Sequence, residues 1–114
     1  MIVNINKLIN SYELVFLDAI VIRVEVEKLL NTYDFLTLDF SNIKNQKDIL
    51  TCSFFSTLIV PIYSLFKESV EVINLESYEN LNQVLLGTAF YDKNLNSYKE
   101  KNKNILMETA LFND

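Results

Sequence analysis

The sequence predicts an α/β domain, a small sheet with crossover helices, and three observations carry that expectation. Residues 35–40, Phe-Leu-Thr-Leu-Asp-Phe, are a short apolar, β-branched and aromatic run stopped by Ser41-Asn42, as in a buried strand. A polar loop follows, then a long apolar helix beginning around Ser53, whose hydroxyl stands where it would accept bonds from the first free backbone N–H groups. Strand and helix patterns then keep alternating, which favours parallel strands joined by crossover helices.

Residues 1–6 alternate imperfectly, with Val3 and Ile5 beside Asn4 and Asn6, and predict a short edge strand. Residues 7–11 read as a connection, or as a second hairpin arm if Leu8 and Ile9 extend the sheet. Residues 13–31 carry two patterns. Residues 22–27 alternate with period two, as a strand does, whereas Val15, Ala19, Ile22, Val26, Leu29 and Leu30 make a helical stripe. The stripe is longer than a usual strand and no turn signal interrupts it. A helix from about Asp18 to about Asn31 is therefore expected, with residues 13–17 as strand or turn.

The loop of residues 41–47 carries Asn42, Asn45 and Gln46, residue types that form turns and cap backbone groups. In the second helix Phe54, Leu58, Ile62, Leu65 and Phe66 share one face and Phe55 and Ile59 widen it, which calls for burial on two sides. Pro61 lacks an N–H and clashes with the preceding turn, so a kink is expected over residues 57–61. Residues 69–75 read as another strand. Ser77 then caps a third helix lined by Leu81, Val84 and Leu85, with Gly87 suited to a left-handed C-terminal position. Residues 88–98 form a further short helix or strand, and residues 99–114 a flexible tail or a terminal helix.

The chain of 114 residues is expected to be a single domain, 50% hydrophobic and 22% charged, with enough apolar material for a core. A net charge of −5 argues against broad phosphate binding, and Lys99, Lys101 and Lys103, interrupted by Glu100, read as a solvated segment. No nucleic acid is expected as a partner. Histidine is absent and Cys52 is the only cysteine, which excludes Ser-His and Cys-His nucleophile pairs and a disulfide framework. The single glycine excludes a glycine-rich phosphate loop. No signal-type N-terminus or membrane-length apolar run is present, so the cytoplasm is the expected location, with no membrane partner.

Three short segments carry a family resemblance: Leu38-Asp39-Phe40-Ser41-Asn42-Ile43 ending a strand, Cys52-Ser53-Phe54-Phe55 opening a helix, and Val70-Glu71-Val72-Ile73-Asn74-Leu75. Over roughly residues 20–86 the chain resembles a STAS-like domain, and more narrowly an uncharacterised bacterial branch related to anti-sigma-factor antagonists. The resemblance implies a small mixed four-stranded sheet backed by helices. It also implies a non-catalytic regulatory role: docking on a protein partner such as a histidine-kinase-type ATPase. In the antagonist branch that partner phosphorylates a serine at the start of the second helix, and Ser53 matches it best. This chain carries Phe54 where the antagonists have a glycine, Thr51-Cys52 where they have an acidic residue, and a longer loop over residues 44–50.

Each candidate residue has two readings. Ser53 is a phosphorylation and docking site, or a plain helix cap. Asp39 holds a metal or a partner's lysine, or it stabilises a turn; no second carboxylate stands at a ligand-like spacing, which favours the turn. Cys52 is a small buried hydrophobe, or a thiolate at a helix start. No metal or cofactor is expected. The runner-up function is a self-associating structural subunit, built through the apolar second helix or the C-terminal aromatic residues, without a phosphoswitch. A small enzyme ranks last, because histidine and paired carboxylates are missing.

Overall fold

In the computed structural model residues 1–62 and 69–88 are described. They form a mixed α/β unit in the order β1 (Ile2–Asn4), α1 (Ile5–Ile9), α2 (Asp18–Leu29), β2 (Leu36–Asp39), α3 (Gln46–Ile49), α4 (Cys52–Ile59), β3 (Val70–Ile73) and α5 (Tyr78–Thr88). The strands make one sheet in the order β1-β2-β3, and both pairings are parallel. A parallel pair needs a long crossover, and both connections run through helices.

The alternation of the strands divides the sheet into two faces. Val3, Leu36, Leu38, Val70 and Val72 are buried and join Ala19, Ile22, Val26, Phe54, Leu58, Leu81 and Val84 in one core. Asn4, Thr37, Asp39, Glu71 and Ile73 alternate with them and are half-buried. Parallel sheets are usually apolar on both faces; here the second face is largely polar, and Thr37 donates across it to Glu71 Oε1 at 2.9 Å.

Helix α4 lies between α2 and α5. Phe54, Phe55, Leu58 and Ile59 are fully buried, and Phe55 meets Phe40 and Phe54 edge to face at 6.2 and 5.7 Å. Over residues 52–59 burial on two sides, as expected for this helix, is thus supplied within the fold. At Pro61 the α-helix stops: Ile59 is its last residue and Val60–Ile62 continue as a tighter 3₁₀ turn. The missing Pro61 N–H takes away the bond that Thr57 would have received.

Other expectations change in detail. Residues 1–6 split into a three-residue strand and the start of α1, so the hairpin arm is a helical turn instead. Asn10 ends it in the left-handed region at φ 55°, a conformation that asparagine tolerates. Helix α2 starts at Asp18 as expected, and residues 13–17 are a turn, not a strand. Gly87 lies inside α5 with no positive φ; the second left-handed residue is Asn74, at φ 60°. Among the described residues the sheet has three strands, all parallel, where four in mixed order were expected. Expectations for Leu65, Phe66, the aromatic residues 90, 91 and 98, the lysine run and the terminal segment lie outside the described residues. No helix among the described residues is long and apolar enough to cross a membrane.

Candidate functional site

The loops that follow β2 and β3 leave the same edge of the sheet, where open α/β sheets carry their sites. Two buried amides tie these loops together. Gln46 Nε2 donates to Phe40 O at 2.7 Å and Asn74 O at 3.2 Å, while its Oε1 accepts the Glu76 N–H at 2.9 Å. Asn80 Nδ2 donates to the main-chain oxygens of Gln46 and Leu50, and its Oδ1 accepts the Ser77 hydroxyl. Both side chains are almost fully buried and both are satisfied. Asn45 adds a second tie, exchanging two 2.9 Å bonds with the main chain of Leu14.

Asp39 ends β2 at this edge. Its Oδ1 accepts the Ser41 N–H and the Asn74 Nδ2 group, each at 2.9 Å. Partial burial pushes its carboxyl up. The bonds from the Asn74 amide, the Ser41 N–H and the Ser41 hydroxyl outweigh that and hold it below its ordinary value. Asp39 therefore closes a turn and pins the left-handed Asn74. Among the described residues no three metal-donor side chains converge.

At the start of α4 the cap is Thr51, not Ser53. Thr51 Oγ1 accepts the Phe54 N–H at 3.2 Å, and its main-chain oxygen accepts the Phe55 N–H at 3.1 Å. The reason is register: the helix begins at Cys52, so a hydroxyl must sit at residue 51 to reach its third amide. The signal was present in the sequence as a threonine three residues before Phe54. Gln83 of α5, which the sequence did not single out, accepts the Cys52 N–H at 2.7 Å. Cys52 is half-buried instead of enclosed, and Ser53 is exposed.

Ser53 and Cys52 thus share one helix start, tied to α5. Asp39 belongs to a separate turn network, and among the described residues no hydrogen bond joins the two. No family model, curated protein or solved structure matches this chain.

Proposed function

We propose that this domain is a non-catalytic regulatory module, STAS-like in build, that docks on a protein partner of the histidine-kinase-type ATPase class. Ser53 is the residue that partner modifies. One observation carries the reading: Thr51 performs the capping, so the Ser53 hydroxyl has no structural duty and stands exposed at the start of α4. In the transfer, Ser53 Oγ attacks the γ-phosphorus of ATP, the bond to ADP breaks and the hydroxyl proton leaves. The new phosphate lies within the first turn, where the helix dipole favours negative charge. The parallel sheet with helical crossovers is compatible with this build, and the cytoplasm is its natural setting.

The test is capture of partners from the native host with the tagged protein, followed by intact-mass measurement with ATP. One stoichiometric ATPase is expected, with a gain of one phosphoryl group that Ser53→Ala abolishes, and Ser53→Asp should bind that partner more weakly. Stability supplies the control. Thr51→Ala should cost about 1 kcal/mol as a lost cap, while Ser53→Ala should stay within about 0.5 kcal/mol. A phosphoryl group retained in Ser53→Ala, or unchanged affinity in folded Ser53→Asp, would sink the switch.

A second reading, a self-associating subunit, is favoured by a different observation. Helix α2 and the turn before it turn an apolar stripe outward, with Val15, Phe16, Leu17, Val21 and Val24 all exposed.

A further inference from the structure

Between α2 and α4 lies an open depression of about 340 Å³, lined by Arg23, Ser56, Thr57 and Pro61. Arg23 is the only arginine of the chain. It follows the fully buried Ile22, so its stem leaves α2 beside the seam with α4. Its Nε is shielded from solvent and has no hydrogen-bond partner. Glu27, one turn along, comes to 3.8 Å of that nitrogen, an ionic contact too long for a hydrogen bond. A shielded N–H of a charged group without an acceptor is costly, and its neighbours leave the guanidinium fork unused.

The opposite wall is α4. Ser56 and Thr57 follow Ser53 by three and four residues, so they share its helix face, yet both are half-buried where Ser53 is exposed. Neither hydroxyl is bonded to another described residue. The site therefore presents a planar cationic fork, two hydroxyl donors and the apolar ring of Pro61.

Charge decides which oxyanion fits. Arg23 brings one positive charge, Glu27 offsets part of it, and the whole chain carries −5. A dianion such as sulfate would meet net repulsion, whereas a monoanion meets little. A carboxylate also matches the fork, which can bind two oxygens of one planar group. The apolar part of the lining is the ring of Pro61, on which the body of the ligand would lie.

We propose that the depression between α2 and α4 is a binding site for a small monocarboxylate, held by the Arg23 guanidinium and the Ser56 and Thr57 hydroxyls. Binding displaces Glu27 from the guanidinium and gives the fork an acceptor. This assignment does not rest on any modification at Ser53.

Because the chain has one arginine, its side-chain Nε–H gives a single NMR signal that reports the site without ambiguity. Titration of the labelled protein at pH 7 with sodium butyrate, against sodium sulfate and sodium chloride at matched ionic strength, tests the proposal. Butyrate should shift that signal saturably, with a Kd of roughly 1 mM for so small a ligand. The double variant Ser56→Ala/Thr57→Val, folded by its amide spectrum, should bind about tenfold more weakly. Glu27→Gln should bind severalfold more tightly, an effect that a merely structural Arg23–Glu27 pair would not produce. A wild-type signal that drifts linearly and equally with chloride overturns the site. Saturation by sulfate at lower concentration than butyrate overturns the carboxylate assignment.

Discussion

Asp39 shows how a single carboxylate is held by its surroundings. Burial acts against its charge, and the bonds from Asn74 and Ser41 act for it and prevail. Its pKa is lowered on folding, so the stability it contributes is present above the unfolded value of about 4 and is lost as pH falls through the folded value. Asp39→Asn keeps the shape and removes the charge. Urea unfolding should find this variant less stable than the wild type at pH 7, with the gap closing in acid below about pH 4. A gap that persists unchanged at pH 3 would mean that the carboxylate charge is not what holds the turn. The turn role itself was legible in the sequence, because a bond from Ser41 to Asp39 is local. The Asn74 partner was not, since it comes from 35 residues away.

Elements were legible where their period ran long enough. Ala19, Ile22 and Val26 of the expected stripe are the buried face of α2, whereas Val15, expected to start it, lies in the preceding turn and is exposed; Leu36, Leu38, Val70 and Val72 are the buried face of the sheet. The single-turn helices α1 and α3 were not legible, because so few residues carry no period of their own and tertiary contacts fix them. Gln46 is the sharpest case. In the sequence it is one more polar loop residue; in the fold it is buried and fixes the start of α3 against the loop after β3. Gln46→Leu would fill a similar volume but strand the Asn74 oxygen and the Glu76 N–H, and leave Phe40 O with the Ile43 N–H alone. The expected cost is about 3 kcal/mol by chemical denaturation, against about 0.5 kcal/mol or less for Ala in place of the exposed neighbour Lys47. Equal midpoints for the two variants would show that solvent reaches the Gln46 site and replaces its bonds.

On the scale of the whole molecule, α2 has two apolar faces, and the described residues cover only one. Ala19, Ile22 and Val26 face the core, while Leu17, Val21 and Val24 stand 66%, 50% and 40% exposed. An outward face of this kind contributes little to folding, since it is wet in both the folded and unfolded states, and it invites contact with another apolar surface. The double variant Leu17→Glu/Val21→Glu should therefore unfold at nearly the wild-type midpoint, within about 0.5 kcal/mol for substitutions outside the core. Ile22→Glu, which places a charge in the core one position away, should not fold. Sedimentation separates the two readings of this face. If the domain is a self-associating subunit, the wild-type apparent mass rises with concentration and the double variant stays monomeric. A wild type that remains monomeric over the same range removes that reading. The stripe would then belong to a different protein, and the same variant should lose the ATPase from the capture experiment while keeping its fold.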